Sequence, residues 1–235
     1  MTTDRDRALA LVTDSREIAP GIEPGIESGI ESGIESGIES RLDRFVALLL
    51  EWQKTTNLIS PSTIPELWTR HVADSLQLLK LAPGAKRWVD FGSGGGFPGI
   101  PIACALTGRE GAAVHLVESN HKKAAFLREA IRVTGAPARV HARRVEDFVD
   151  GFAEPVEIVT ARALAPLENL LAKAYPLLKS GGQALFLKGQ DVEGELTEAS
   201  RYWIIDAELI PSVTDRSGRI VRVRSLHPTQ ATRVP

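Results

Sequence analysis

The segment that most constrains the fold of this chain is residues 88–99, where four glycines follow directly after a short apolar run. The glycines are Gly92, Gly94, Gly95 and Gly96. Glycine allows positive φ angles and lets a ligand approach the main chain closely. A helix that begins near Phe97 would direct its free N–H groups and the positive end of its dipole toward that ligand. The pattern therefore predicts a strand–turn–helix unit that binds a nucleotide.

The spacing of the glycines indicates which nucleotide this is. A dinucleotide-binding turn has glycines at its first, third and sixth positions. Counted from Gly92, the third position is Gly94 but the sixth is Phe97. Because the last of those glycines permits close packing of helix on strand, Phe97 argues against NAD or FAD. The pattern Asp90-x-Gly-x-Gly-x-Gly96 is instead similar to the first motif of S-adenosylmethionine-dependent methyltransferases. A glycine-rich turn without a ligand is the remaining alternative.

The composition excludes several classes of protein. The 235 residues are 43% hydrophobic, which suffices for one domain with additional segments. Cys104 is the only cysteine, which excludes a disulfide framework and a cysteine-based metal cluster. No run reaches the length of a membrane span, and the N-terminal residues do not resemble a signal peptide. We therefore expect a cytoplasmic protein that binds neither a metal nor a membrane.

A tandem repeat marks the N-terminal part of the chain. Residues 21–40 are five four-residue units, Gly-Ile-Glu-Pro once and Gly-Ile-Glu-Ser four times. A glycine at every fourth position costs a helix about 1 kcal/mol each. Residues 1–40 are therefore interpreted as a low-complexity, disordered extension. An amphipathic arm that binds a partner is the alternative.

Three further segments follow the extension. Residues 41–84 are predicted to form a small helical cap, in which Ser40 caps a first helix and a second helix begins near Pro65. Residues 85–226 are predicted to form an α/β domain, and 227–235 a tail.

Apolar runs and helical patterns alternate along the α/β domain. Strands are predicted at 87–91, 114–118, 138–143, 156–161, 183–188, 202–210 and 219–226. Helices are predicted at 98–107, 121–134 and 166–179. This order predicts a Rossmann-like α/β fold with a mostly parallel seven-stranded sheet, helices on both faces and a final antiparallel hairpin.

Ligands of such sheets bind beyond the carboxyl ends of the strands, where this chain carries several polar groups. They are Glu118-Ser119-Asn120, Val145-Glu146-Asp147, Arg162 and Lys188. An acid about two dozen residues after the glycine loop suits ribose hydroxyls, which favours that role for Glu118 over a helix-capping one. Glu146 and Asp147 could equally favour a helix start. For Arg162 and Lys188, contact with substrate or cofactor is favoured over a role as solvated charges.

The cap contains the motif Arg70-His71-x-x-Asp74-Ser75. Arg70 and Asp74, and likewise His71 and Ser75, are spaced as i,i+4 pairs on adjoining faces of a helix. His71 is then either a catalytic base or a structural residue that joins the cap to the glycine-loop domain. Apolar neighbours on this surface favour packing.

These motifs occur together, in one order, in a bacterial family. They are Asn57-Leu58, Arg70-His71-Val-Ala-Asp74-Ser75, Val89-Asp-Phe-Gly-Ser-Gly-Gly-Gly-Phe-Pro-Gly-Ile-Pro101, Lys123-Ala-Ala-Phe-Leu127, Arg144-Val-Glu146, Thr160-Ala-Arg-Ala163 and Leu187-Lys-Gly189. On these residues the chain closely resembles the ribosomal RNA small-subunit methyltransferase G family, also called glucose-inhibited division protein B, over about residues 41–225. The resemblance implies transfer of a methyl group from S-adenosyl-L-methionine to N7 of guanine 527, in the 530 loop of 16S ribosomal RNA.

The resemblance also implies roles for individual residues. The donor-binding loop would include Gly92, Gly94, Gly96 and Phe97, the donor's ribose would lie by Glu118, Ser119 and Asn120, and its adenine by Val145 and Glu146. Arg162 would lie near the methionine end of the donor or the target guanine. Two positions depart from common family forms: Glu118 stands where Asp is frequent, and Gly95 where Pro often occurs. The longer Glu118 side chain changes the expected ribose geometry.

Guanine N7 carries an in-plane lone pair and no proton, so its methylation requires alignment and desolvation more than a general base. We expect Arg162 and Lys188 to be the catalytic residues in this sense, positioning the nucleotide and its phosphates.

Because the net charge is only −2, RNA binding must depend on local positive charge. Two basic clusters are candidates, one comprising Lys122, Lys123, Arg128, Arg132, Arg139, Arg143 and Arg144 and the other Arg216, Arg219, Arg222 and Arg224. Ordinary solvated surfaces are an equally good interpretation. We expect a monomer whose partner is 16S ribosomal RNA or the small ribosomal subunit. A methyltransferase of small molecules or proteins, and a non-catalytic RNA-binding protein, are the alternatives.

Overall fold

A computed structural model describes residues 2–13 and 36–229, and within them seven strands form one sheet. The strands are β1 (Arg87–Phe91), β2 (Ala113–Val117), β3 (Ala138–His141), β4 (Ile158–Arg162), β5 (Gln183–Lys188), β6 (Trp203–Pro211) and β7 (Arg219–Pro228). Their order is β3-β2-β1-β4-β5-β7-β6. The first five are parallel, and β7 is antiparallel to both β5 and β6. The predicted fold class is therefore confirmed.

The strand order reverses between β1 and β4, because the chain runs from β1 outward to β3 and then returns to the other side of β1. Ligands of open α/β sheets bind at such a switch point, beyond the carboxyl ends of the strands. The glycine loop follows β1 directly, and Arg162 is the last residue of β4. The topology thus brings both to the same crevice.

Helices cover both faces of the sheet. They are α1 (Asp4–Thr13), α2 (Ser36–Gln53), α3 (Asp74–Leu81), α4 (Gly99–Ala105), α5 (His121–Thr134), α6 (Val145–Val149), α7 (Leu167–Leu178) and α8 (Val192–Ala199). Successive residues of a strand point to opposite faces. Trp88 accordingly packs into a core with Phe126, and Val89 into a second core with Leu171. None of the described helices is long and apolar enough to cross a membrane.

The cap differs from its prediction at both helix starts. α2 begins at Ser36, so Ser40 lies inside the helix and does not cap it. The helix expected from near Pro65 is not continuous. It consists of a 3₁₀ helix (Pro61–Glu66), a π-helical turn (Trp68–Ala73) and then α3. A π turn inserts one extra residue, which propensity and periodicity do not reveal.

The π turn also changes the partners of the cap motif. Arg70 forms an ion pair with Asp215 at 3.2 Å, a residue of the β6–β7 turn. The hydroxyl of Ser75 donates to the main-chain oxygen of His71 at 2.6 Å and not to its ring. The i,i+4 spacing therefore does not by itself identify the partners: Arg70 pairs with the β6–β7 turn, and Ser75 bonds to the main chain of His71.

α1 was not predicted, and it packs on the cap. The carboxylate of Asp4 accepts hydrogen bonds from the main-chain nitrogen of Trp68 (2.8 Å) and the hydroxyl of Thr69 (2.6 Å). Arg5 forms an ion pair with Asp43 of α2 at 2.8 Å. Asp4 thereby caps the start of the π turn from a distant part of the chain.

The interpretation of residues 1–40 as disordered is thus wrong for α1 and for the first turn of α2. A local signal was present: Thr3 and Asp6 cap each other's main-chain nitrogens at 3.1 Å, as in a capping box. Residues 14–35, with most of the repeats, lie outside the described residues, and the expectation for them stays a prediction.

Candidate active site

The loop after β1 has a shape that only glycine adopts readily. Gly92, Gly94 and Gly96 have φ angles of 64°, 52° and 88°, in the region that L side chains rarely occupy. Gly95 serves a different purpose, because a Cβ there would lie 2.9 Å from the carbonyl oxygen of Leu58 in the cap. The loop is therefore held between the sheet and the cap.

Close packing of the helix on the strand depends on Gly99 and not on Phe97. A Cβ on Gly99 would lie 2.2 Å from Leu116 Cδ2 and 2.9 Å from Asp90 Oδ2. The helix α4 begins here, one residue after the start of the helix predicted at 98–107. Phe97 stacks instead on the ring of His71, with centroids 4.9 Å apart. The glycine that the dinucleotide motif requires has a counterpart in this fold, displaced along the chain.

Glu118 connects the end of β2 to the glycine loop. Its Oε2 accepts a hydrogen bond from Gly94 N (2.9 Å) and its Oε1 from Asn120 N (2.7 Å). The residue is 8% exposed. The longer glutamate side chain thus reaches two main-chain donors, one in the loop and one at the start of α5.

A cavity of about 370 Å³ lies beside this carboxylate, and we call it the loop cavity. The predicted site residues that line it are Gly92, Gly94, Glu118, Ser119, Val145, Glu146 and Arg162. Its rim includes the basic side chains of Lys123, Arg143, Arg144 and Lys173. Leu164, which was not predicted, covers Gly92 so closely that a Cβ there would lie 2.6 Å from Leu164 Cδ1.

Four predicted residues do not line the loop cavity. Gly96 and Phe97 are packed against the cap, where a Cβ on Gly96 would meet the Phe45 ring at 3.1 Å. The Asn120 side chain caps α5 by accepting hydrogen bonds from two main-chain nitrogens. Lys188 lies on the other side of Arg162, in a separate cavity.

Arg162 is the centre of the contacts between β4 and the cap. One guanidinium nitrogen donates to the main-chain oxygen of Arg70 at 3.1 Å and lies 3.7 Å from Asp74 Oδ2. The other donates to Nδ1 of His71 at 2.5 Å. The guanidinium carbon lies 5.2 Å from the centre of the Phe97 ring. Arg162 is therefore held in one orientation at the boundary of the loop cavity.

His71 is a structural partner of Arg162. A guanidinium only donates, so Nδ1 accepts and the ring proton is on Nε2, which donates to Thr63 Oγ1 at 2.8 Å. Burial, together with the nearby charges of Arg162 and Arg70, lowers the pKa of His71 to about 3. Of the two roles left open by the sequence, the contacts favour the structural one.

Lys188 is tied to the loop that follows Arg162. Its ammonium forms a 2.7 Å ion pair with Glu195 and donates to the Ala165 carbonyl at 3.0 Å. The same Glu195 oxygen accepts from Leu167 N at 2.5 Å. Ala163, in this loop, has a φ of 50°, which is unfavourable for a residue with a Cβ. The loop 163–167 is thus held in a strained conformation between Arg162 and α7.

Asp90 is a buried carboxylate that the sequence did not single out beyond its place in the motif. Its Oδ1 accepts from the Thr160 hydroxyl at 2.9 Å, whereas its Oδ2 has no hydrogen-bond partner among the described residues. Burial raises the pKa of Asp90 to about 6. The Asp90 carboxylate lies against Gly99, the first residue of α4.

A second cavity, of about 270 Å³, lies between the cap and the β6–β7 turn, and we call it the cap cavity. Arg162 and Ala163 line both cavities, so the two adjoin there. The cap supplies Arg70, His71 and Asp74, and the turn supplies Ser212, Thr214 and Asp215. Sequence reasoning missed the turn, because nothing local connects it with a cap about 140 residues earlier.

The two basic clusters do not lie together as single surfaces. Ion pairs engage Arg132, Arg139 and Arg224 with neighbouring acids. Arg219 is opposite Lys188 at the carboxyl edge of the sheet, but Arg222 and Arg224 follow β7 toward the other edge. Only part of the second cluster therefore borders the site.

A sheet of this order, with a glycine loop after β1 and an acid after β2, defines a class I methyltransferase, the class that uses S-adenosylmethionine. An O-methyltransferase from Bacillus cereus, solved in complex with SAH, has the same fold. The TM-score is 0.51 at 17% identity, with 81% of this chain and 91% of that chain covered.

Similarity in sequence is much closer to one family of that class. The family model described as rRNA small subunit methyltransferase G matches residues 38–220. The Ribosomal RNA small subunit methyltransferase G of Bradyrhizobium sp. strain BTAi1 is 64% identical over 183 residues, which are 78% of this chain and 82% of the relative. That of strain ORS 278 is 62% identical over the same shares. The chain belongs to the rRNA small subunit methyltransferase G family.

Proposed function

We propose that this protein transfers a methyl group from S-adenosyl-L-methionine to N7 of guanine 527, in the 530 loop of 16S ribosomal RNA. The observation that carries the proposal is the loop cavity, where Gly92, Gly94 and Glu118 meet Arg162 at the switch point of the sheet. Relatives named for the RNA of the small ribosomal subunit support the choice of substrate.

The residues of the loop cavity fit the methyl donor. Each oxygen of Glu118 accepts one main-chain hydrogen bond and keeps a lone pair for a ribose hydroxyl. We assign the ribose to Glu118 and Ser119, and the adenine to Val145 and Glu146, which also line the cavity. Gly96, Phe97 and Asn120 belong to the donor site as residues that shape it.

When bound, the donor would supply a methyl group on a positively charged sulfur. The lone pair of N7 would form a bond to the methyl carbon as the bond from that carbon to sulfur breaks, and S-adenosylhomocysteine would leave. No proton has to be removed, so the site requires positioning and exclusion of water. Arg162 suits this task because four contacts fix its orientation between the two cavities. His71 does not serve as a base in this proposal, since both of its ring nitrogens are engaged.

Lys188 contributes indirectly in this proposal. Its charge is balanced by Glu195, and its contacts lie in the loop 163–167. We therefore assign Lys188 to positioning that loop. The sequence alone suggested instead that Lys188 orients the nucleotide and its phosphates.

The RNA is expected to lie across the basic rim of the loop cavity. Lys123, Arg143 and Arg144 border it, and Arg219 borders the cap cavity. Binding of this kind weakens as the salt concentration rises. RNA releases counterions when the protein binds, and added salt opposes that release. We propose a monomer that acts in the cytoplasm and binds no membrane. The charged lining of the cap cavity disfavours a small apolar acceptor.

The proposal is tested by incubating the protein with radiolabelled methyl donor and purified small ribosomal subunits that lack the modification. We expect one labelled guanine, located by the strand cleavage to which N7-methylguanine is sensitive. The Glu118→Ala variant, which loses the ribose ligand, is the matched negative control. Label at another base, on protein, or not at all would contradict the proposal.

A further inference from the structure

The charges that line the cap cavity are mostly paired with one another. Three of its four cations are paired with acids that also line it: Arg70 with Asp215 at 3.2 Å, Lys188 with Glu195 at 2.7 Å and Arg162 with Asp74 at 3.7 Å. The fourth, Arg219, donates to the main-chain oxygens of Arg216 and Gly218. Because the charges of these three pairs balance, the cavity carries one unbalanced charge, that of Arg219. It retains hydrogen-bonding groups, which suits a neutral polar ligand.

The size and position of the cap cavity limit further the range of ligands that it can bind. About 270 Å³ lies below the usual range of cavities for drug-sized ligands and leaves room for one planar base. The cavity meets the loop cavity at Arg162 and Ala163. Enzymes that modify a base commonly take it out of its stack and hold it in such a pocket, where its Watson–Crick edge is read by hydrogen bonds.

Asp74 is a carboxylate of this cavity with an acceptor to spare, and it belongs to the cap motif. Its Oδ1 accepts from Thr214 Oγ1 (2.6 Å), Gln77 Nε2 (2.7 Å) and Ser212 Oγ (3.3 Å). These three donors fix the carboxylate from the side of α3 and the β6–β7 turn. Among the described residues, Oδ2 accepts no hydrogen bond and has only the longer ion pair with Arg162.

We propose that the cap cavity binds the flipped target base and that Asp74 Oδ2 recognises it as guanine, an inference that rests on the proposed function. The N1–H of guanine and one N2–H point in the same direction, so one oxygen can accept both. Adenine has an unprotonated N1 and no amine at C2, and it would leave the carboxylate unpaired at considerable cost.

The proposed contact with Asp74 also sets the side of the base on which the reacting atom lies. N7 belongs to the five-membered ring, away from the Watson–Crick edge. A guanine held by Asp74 at that edge has N7 on its other side, and the proposal requires that side to face the boundary with the loop cavity at Arg162 and Ala163. Asp74 is thus a specificity-determining residue that also aligns the base, and Arg162 keeps its carboxylate charge balanced before the base arrives.

The test compares small subunits reconstituted with guanine or with inosine at the target position. Inosine keeps N7, O6 and N1–H but lacks the N2 amine. We expect wild-type kcat/KM to be about 10-fold or more lower with inosine, as for the removal of one base-specific hydrogen bond. Asp74→Asn is expected to lose activity on guanine and to show nearly equal kcat/KM on the two bases.

The Asp150→Asn variant is the matched control, because it makes the same change at an exposed carboxylate that lines neither cavity. It is expected to keep the wild-type ratio between guanine and inosine. Calorimetric binding of S-adenosylhomocysteine by Asp74→Asn is expected to match wild type.

Two results would overturn the inference. Equal wild-type activity on guanine and inosine contradicts the recognition of the N2 amine, and this comparison needs no variant. An unchanged ratio in Asp74→Asn contradicts the part of Asp74. Either can occur while methyl transfer to guanine is normal, whereas no transfer to guanine by wild type overturns the proposed function as well.

Discussion

At the scale of single residues, the site depends on carboxylates whose oxygens are unequally used. Glu118 uses one lone pair of each oxygen to accept from the main chain. Asp74 engages one oxygen and keeps the other, and Asp90 is buried with one oxygen unpartnered among the described residues. Burying a carboxylate whose oxygens are not all hydrogen-bonded costs free energy. We expect such a carboxylate where a ligand or a close main-chain contact interacts with it.

Glu118→Gln is expected to weaken donor binding by about 10- to 100-fold, because a hydrogen bond to a charged acceptor contributes about 1.5–3 kcal/mol. Titration calorimetry with S-adenosylhomocysteine measures the change. Glu110→Gln, at an exposed turn, is the matched control and is expected to bind as wild type does. Unchanged affinity in Glu118→Gln would remove the ribose role.

Asp90 is expected to make stability depend on pH. Its pKa of about 6 in the folded protein lies above the ordinary value near 3.9. The folded state therefore holds the proton more tightly, and this stabilising contribution is full below about pH 4 and lost as the pH rises through 6. Asp90→Asn cannot ionise, so its stability relative to wild type is expected to rise by up to about 3 kcal/mol between pH 4 and pH 7.

Urea unfolding of Asp90→Asn and wild type at several pH values measures this difference. Asp150→Asn, at an exposed carboxylate, serves as the control and is expected to show no comparable trend. A stability difference that stays constant across the range would mean that Asp90 does not titrate as described.

At the scale of elements, the strands of the sheet were predicted to within about two residues, and the cap was not. Central strands are buried on both faces, and their sequences are short runs in which most residues are apolar. The π turn of the cap depends instead on Asp4 and Asp215, which are distant in sequence. A local sequence pattern therefore predicts the strands of the sheet. It does not predict the π turn, because side chains far away in the chain stabilise that turn.

Removing the Asp4 carboxylate in Asp4→Ala is expected to destabilise the protein by about 1–2 kcal/mol, as for loss of a helix cap. Chemical denaturation measures the effect. The exposed Asp150→Ala provides the comparison and is expected to remain within about 0.5 kcal/mol of wild type. A similar small change in Asp4→Ala would show that α1 does not support the cap.

At the scale of the whole molecule, part of each basic cluster borders the cavities at one edge of the sheet: Lys123, Arg143 and Arg144 from the first cluster and Arg219 from the second. Replacing Arg143 and Arg144 with Glu is expected to weaken RNA binding and to lower the slope of log affinity against log salt by about 2, one for each phosphate that the variant no longer neutralises. Filter binding to 16S RNA across a salt series measures both quantities.

Arg201→Glu is the matched charge reversal for that experiment. Arg201 precedes β6, which runs in the same direction as β5, so it lies at the opposite edge of the sheet. We expect its salt dependence to equal that of wild type. An equal loss of RNA binding in Arg201→Glu would indicate a general effect of net charge and not a rim around the site.

The sequence by itself determined the glycine loop, the order of strands and helices, the acid after β2 and the family, because each depends on residues close together in the chain. Only the tertiary structure decided that Gly99 packs the helix on the strand, that His71 holds Arg162, and that Asp74 meets Thr214 across 140 residues. Those contacts are set by how the cap and the final hairpin pack on the sheet. That packing buries apolar surface from several segments at once, and no local pattern encodes which polar groups it brings together.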